Sequence, residues 1–320
     1  PEEARLRDRV DPRRVRALVV SALEKATGEG HTLLPRDWVI ERLGEMTLDT
    51  PCPVGIDVLN GVQESFAPEV AQVPMADGGL GYQLDRFVDA GELIRKTVEK
   101  RVGARSRRHA LTVNWRETVD AGLGAVKDDD DRDAEERARA EKSAALEELV
   151  SSRLSVLIGA AGTGKTTLLK MLCGLEQIDT GGVLLLAPTG KARLQLEKKT
   201  EREGDGQTIA QFLLGRGGRY DPESGRYRVT GSSDRCGDYK TVIVDECSML
   251  TEEQLAALLD GLAGYERLVL VEDKRQLPPI GGGRPFVDIV SRLAPEGAET
   301  MFPRVARGYA ELTIPRRQQG

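Results

Sequence analysis

Short apolar runs recur through the second half of the chain: LSVLI (154–158), GVLLLA (182–187), TVIVDE (241–246) and RLVLVED (267–273). Each is β-rich and nearly continuous in hydrophobicity. An alternating strand keeps one face for water, whereas a continuous run has two faces to bury, so these runs predict strands covered on both sides. Helical patterns separate several of them, which predicts crossover connections and an α/β fold with a parallel sheet flanked by helices. GRYDPESGRYRVT (218–230) breaks the rhythm and predicts a surface hairpin turning at Pro222–Gly225.

Residues 1–125 follow a helical period instead. RRVRALVVSALEKA (13–26) carries apolar residues at helical spacing and ends at Gly28 and Gly30. PRDWVIERLGEM (35–46) predicts a short helix with Pro35 near its start. In 82–102 the residues Leu84, Phe87, Val88, Leu93, Ile94 and Val98 form one apolar stripe. These residues predict a mainly helical N-terminal domain; a winged helix over 31–125 is compatible with the pattern, but no motif specifies it. KRVGARSRRH (100–109) is sharply basic, either as a solvated helix end or as a phosphate-contacting patch. KDDDDRDAEERARAEK (127–142) is almost wholly charged, a composition that predicts a linker running into a surface helix over 126–150, with a domain boundary near residue 126.

Composition narrows the classes. No apolar run approaches the roughly 20 residues of a membrane span, so no membrane association is expected. Cys52, Cys173, Cys236 and Cys247 form no C-x-x-C pair, and the expectation is free thiols in a reducing cytoplasm. Only His31 and His109 are present, which removes the material for a histidine metal site or triad. The net charge of −6 argues against coating nucleic acid by bulk charge, but not against gripping a strand through local charge.

One stretch carries explicit chemistry. Gly159–Thr166 fits G-x-x-x-x-G-K-[ST], after a predicted strand and before a predicted helix. In such a loop Gly159, Ala160, Ala161, Gly162, Thr163, Gly164, Lys165, Thr166 and Thr167 wrap a phosphate chain with backbone N–H groups pointing inward. Lys165 is expected to reach the β- and γ-phosphates and the Thr166 hydroxyl to hold Mg²⁺. Asp245 and Glu246 close a buried strand: Asp245 is the expected second Mg²⁺ residue, and Glu246 the general base for the attacking water.

Five stretches then occur in order: GAAGTGKTT (159–167), LAPTGKAR (186–193), VDECSM (244–249), QLPPIGGG (276–283) and LTIPRRQ (312–318). Together they resemble the RecD-like branch of superfamily 1 DNA helicases over roughly 140–320. The resemblance implies a RecA-like ATPase domain over 151–311 and, in 312–320, the start of a second RecA-like domain that the chain lacks. It further implies ATP with Mg²⁺, single-stranded DNA as partner, 5′→3′ polarity, and the possibility of other subunits in a DNA-processing complex. Pro188, Thr189 and Lys191 would touch the strand backbone and Thr208 would extend that track. Gln276 would sense the γ-phosphate, and Arg317 would neutralise charge on the transferred group. Judged by residue type alone, Lys191 is more simply a solvated helix residue and Thr208 a helix N-cap.

Three features depart from the family. Glu272–Asp273 stands where GD is usual, and Ala210 replaces the histidine of TIH. The adenine-reading glutamine is absent upstream of the P-loop, near Glu141 or Lys142, which leaves ATP against GTP open. Two functions remain in view: a strand-translocating motor, and a nucleotide-dependent switch or assembly ATPase in a multi-subunit nuclease or defence complex. A P-loop kinase has no use for VDECSM or QLPP, and the ABC signature L-S-G-G-Q is absent.

Overall fold

The computed structural model describes residues 8–103, 109, 111–125, 132–272 and 279–315. They divide into two compact units. The first comprises residues up to Glu92 with Thr251–Glu253 and Pro279–Gly283; the second comprises the rest from Leu93.

The first unit begins with α1 (Pro12–Gly28). The Asp11 carboxylate accepts from the Arg13 N–H as N-cap, Pro12 occupies the first turn, and Val15, Val19, Ala22, Leu23 and Ala26 make one buried stripe. Then come β1 (Leu33–Pro35), α2 (Arg36–Gly44), α3 (Ile56–Val62), β2 (Val70–Pro74), β3 (Leu80–Leu84) and the start of α4 (Asp85–Val102). The strands form an antiparallel sheet in the order β1-β3-β2. The helices expected over 13–26 and 35–46 are present, and the small sheet comes in addition. Tyr82–Leu84 is strand, so the helical pattern of 82–102 begins at Asp85. The glycines of QLPPIGGG lie in this unit: the Gly283 N–H donates to Gly30 O (3.1 Å), and the Glu252 N–H to Gly282 O (3.0 Å).

The second unit continues with α5 (Trp115–Leu123), α6 (Arg132–Ser151), β4 (Leu154–Gly159), α7 (Lys165–Cys173), α8 (Glu176–Thr180), β5 (Val183–Ala187), α9 (Gly190–Thr200), β6 (Gly206–Thr208) and α10 (Ile209–Leu213). It closes with β7 (Tyr220–Asp221), β8 (Arg226–Tyr227), β9 (Thr241–Val244), α11 (Glu252–Gly261), β10 (Arg267–Glu272), α12 (Pro285–Leu293), β11 (Arg304–Ala306) and β12 (Tyr309–Leu312). The main sheet runs β11-β12-β4-β10-β9-β5-β6, parallel throughout except where β11 turns back on β12. Every residue of β4, β5, β9 and β10 is buried, as their continuous hydrophobicity requires. The short hairpin β7-β8 pairs antiparallel across 222–225.

The charged stretch before β4 departs from expectation. Residues 132–151 form one helix that buries Glu135, Arg139, Glu141, Lys142 and Glu148 along with Ala145, Leu146 and Leu149. The charges are accommodated by pairing rather than by solvent. Arg139 donates to Glu135 (2.8 Å), Asp120 (2.7 Å) and the Gly124 carbonyl (2.7 Å). Arg116 joins Asp120 on α5 to Glu136 on α6 (2.5 Å). Residue 126, where a domain boundary is expected, lies outside the described residues.

Candidate active site

In a parallel sheet the strand ends bearing the functional loops share one edge. β4 ends at Gly159 and feeds a loop whose Gly162 and Gly164 take φ of +82° and +90°. That left-handed backbone is open to glycine at little cost. Gly159 is held by space instead: a Cβ there would stand 2.7 Å from Leu312 O and from Thr163 Oγ1. Gly164 is the N-cap of α7, so Lys165, Thr166 and Thr167 form the helix's first turn, where the N–H groups that start a helix and the helix dipole favour an anion. Thr163 Oγ1 donates to Ala160 O (2.8 Å), and Lys165 Nζ donates to Gly159 O (2.5 Å) and Ala160 O (3.2 Å). The ammonium thus lies over the loop that precedes it.

β9 delivers the acidic pair to the same edge. The Asp245 N–H donates to Leu186 O (2.9 Å), and its Oδ1 accepts from the Glu246 N–H (2.9 Å). Burial pushes the Asp245 carboxyl above the usual carboxylate range, opposed by that hydrogen bond and by Lys199 and Lys165. Burial and the Asp245 charge push Glu246 up as well, against Lys199 and Lys191. Glu246 sits at φ +53°, ψ +42°, a left-handed conformation that costs a residue with a Cβ roughly 1–2 kcal/mol. Such strain persists only where surroundings impose it, and it concentrates at functional sites. Glu272 is part of what imposes it. β10 lies between β4 and β9, placing Glu272 beside Ile158, and its buried carboxylate accepts from the Ser248 N–H in the turn after Glu246.

The expected strand-contacting residues reach the same edge. Pro188 and Thr189 follow β5; Thr189 Oγ1 caps α9 by accepting from the Ala192 N–H (3.2 Å), and Lys191 is exposed on the first turn. Thr208 ends β6 and caps α10 in a reciprocal box with Gln211 (3.1 and 2.9 Å). Its hydroxyl is therefore engaged as a cap. Gln276 and Arg317 lie outside the described residues.

A family model described as an AAA domain matches residues 137–301, about half of the chain. The ATP-dependent RecD2 DNA helicase of Deinococcus radiodurans is 30% identical over 283 residues, 87% of this chain and 36% of its own. The chain belongs to the RecD-like superfamily 1 helicases. The RecD subunit of the RecBCD enzyme of Mycolicibacterium smegmatis is 33% identical over 178 residues, 49% of this chain and 31% of that subunit. The RecD-like chain thus spans about a third of the length of these curated relatives. Among solved structures, Bacteroides Pif1 bound to ssDNA is similar over 52% of this chain and 40% of its own, at 22% identity and a TM-score of 0.30. Pif1 of Candida albicans is similar over 54% and 38%, at 22% and 0.34.

Two residues of this RecD-like site escaped assignment from sequence. Glu272 closes an apolar run as any strand-end carboxylate would, and only the strand order places it between the P-loop strand and the acidic pair. Lys142 is fully buried, with its Cε 2.9 Å from where a Cβ on Gly164 would lie. Its signal was its place, near the position where the family carries a glutamine.

The donor set suits Mg²⁺. Among the described residues no group of three or more His, Cys, Asp or Glu side chains is arranged to hold a metal. The Thr166 hydroxyl and the Asp245 carboxylate are hard oxygen donors of the kind Mg²⁺ uses together with water and substrate phosphates. No helix among the described residues is long and apolar enough to cross a membrane.

Proposed function

We propose that the chain is the nucleotide-hydrolysing module of an ATP-driven motor that moves 5′→3′ along single-stranded DNA. The observation that carries this is the convergence at one sheet edge of a left-handed glycine loop before Lys165 and a buried acidic pair with a strained Glu246. In this account the loop N–H groups and Lys165 bind the triphosphate, and Thr166 and Asp245 hold Mg²⁺, which when bound neutralises charge on the phosphate oxygens. Glu246, its carboxyl raised by burial and by Asp245, takes a proton from the attacking water. Pro188, Thr189, Lys191 and Thr208 lie where a strand crossing the same edge would meet them. Gln276 and Arg317 couple the γ-phosphate to that strand and to a second RecA-like domain, without which unwinding is not expected.

The order α1-β1-α2-α3-β2-β3, with its three-stranded sheet, supports a winged helix in the first unit. α3 (IDVLNGV) carries Asp57 and no cation, so it is poorly suited to lie along phosphates. The second function, a nucleotide-dependent switch in a multi-subunit nuclease, draws support from the likeness to a RecBCD subunit. Hydrolysis assays separate the two: a motor's turnover rises with single-stranded DNA and falls steeply with salt, and a switch's turnover ignores DNA.

A further inference from the structure

The P-loop stands at the C-terminal end of β4. At the other end of that strand, six residues and about 20 Å away by strand geometry, lies a second concave site. Lys100, Arg101, His109, Arg153, Tyr265 and Glu266 line a cavity of about 520 Å³. A smaller one of about 200 Å³ shares Lys100, Arg101, Arg153 and Tyr265 and reaches Arg235 and Asp260.

Its charges do not balance. The Arg101 guanidinium lies on the Tyr265 ring, 3.6 Å from the centroid, and donates to the carbonyls of Arg153 (3.2 Å), Tyr265 (3.2 Å) and Glu266 (3.4 Å). It is fixed rigidly, but by neutral acceptors. Both carboxylates of the lining are committed to other cations: Glu266 to Arg267 (3.1 Å), Asp260 to Arg219 (2.9 Å) and Arg235 (3.1 Å). Among the described residues, the side chains of Arg153 and Lys100 make no hydrogen bond or ion pair. Burial holds the Arg101 guanidinium below its usual range, and the Arg153 charge adds to this. Clamping the starts of β4 and β10 accounts for Arg101 alone. Arg153 only raises the cost of burying it, unless an anion arrives.

We propose that this cavity binds a phosphate group of a nucleic-acid backbone, at a site separate from the nucleotide pocket. The unpaired cations Lys100 and Arg153 beside a fixed guanidinium, with no uncommitted carboxylate in the lining, are the chemistry that recognises phosphate. Lys100 and Arg101 also open the basic run 100–109, so positive charge continues along the chain as a polymer of phosphates would require. Small phosphates share this chemistry and form the other arm of the test.

The test uses the full chain with saturating Mg-ADP, so that the P-loop is filled. Binding of a labelled single-stranded oligonucleotide is followed by anisotropy across salt, and binding of inorganic phosphate by thermal shift at constant ionic strength. Lys100→Ala with Arg153→Ala should weaken oligonucleotide binding about tenfold and reduce the log–log salt slope by about 0.7, the share of one neutralised phosphate. Strand-free ATP hydrolysis should be unchanged, and Arg153→Lys should retain affinity. Lys100→Glu, at an exposed position, should also weaken binding and keeps the test decisive if the double variant folds poorly. Loss of the phosphate-induced shift with unchanged oligonucleotide affinity would overturn the backbone source and assign the cavity to small phosphates. No change in either would overturn the site. Lys191→Ala, run alongside, separates this from the strand-binding account: if it weakens binding while the Lys100 and Arg153 variants do not, only this inference fails.

Discussion

The carboxylate of Glu141 accepts hydrogen bonds from both the N–H (2.8 Å) and the hydroxyl (2.6 Å) of Thr313, joining the helix before the P-loop to the chain just beyond β12. Glu141 is fully buried and Thr313 half-buried. Glu141→Ala leaves two part-buried donors without their acceptor and should cost about 1–3 kcal/mol of stability; Glu141→Gln keeps an acceptor and should cost about 1 kcal/mol or less. Urea unfolding checks both. Equal, small losses would mean that Thr313 finds water instead.

Gly164 is constrained by conformation and by space. Alanine there must adopt φ +90° and push its Cβ to within 2.9 Å of Lys142 Cε. Gly164→Ala should lower stability by about 1–2 kcal/mol and weaken nucleotide binding at least tenfold, because the first turn of α7 moves. Calorimetric titration with Mg-ADP reads the second effect directly. Unaltered affinity would show that the loop tolerates a different shape.

Glu246 separates catalysis from stability. Glu246→Gln should bind nucleotide normally and lose turnover by about 10²–10⁴-fold, since a carboxamide cannot accept the water's proton. Glu246→Gly should lose turnover equally while gaining up to about 1 kcal/mol of stability, because glycine occupies the left-handed region without strain. A destabilised glycine variant would contradict the strain argument.

The acidic pair also sets a pH dependence. The Asp245 and Glu246 carboxyls have folded values raised above their usual 3.8 and 4.5, by burial first. Both therefore bind protons more tightly in the fold than in the open chain. The stability they contribute is fully present below the usual values and is lost as pH rises through the folded ones. Asp245→Asn should accordingly raise the unfolding midpoint at pH 7, and the gain should vanish as pH falls below about 4. Turnover should climb with pH along an acid limb displaced above 4.5.

Much of the second unit was legible because continuous apolar runs have one physical solution, and LSVLI, GVLLLA, TVIVDE and RLVLVED all became interior strands. The antiparallel sheet of the first unit was not. β1 is three residues long and ends in Pro35, too short to show a period. The helix 132–151 misled for a different reason. Charge normally means solvent, and only the fold reveals that Arg139 has Glu135 and Asp120 waiting for it. The P-loop and acidic pair were readable because their residue types and spacing are dictated by phosphate chemistry. Glu272 and the cavity around Arg101 were not, since each depends on strand ends that are distant in sequence.

The central claim is that residues 159–167 and the acidic pair form one nucleotide site. Mg²⁺-dependent binding of a fluorescent ADP analogue to the full chain and to its Lys165→Ala variant tests it most directly. The account predicts saturable binding by the parent chain that weakens when Mg²⁺ is chelated, and at least a hundredfold loss on removing the lysine with the unfolding midpoint preserved. Equal binding by the parent chain and the Lys165→Ala variant would contradict it.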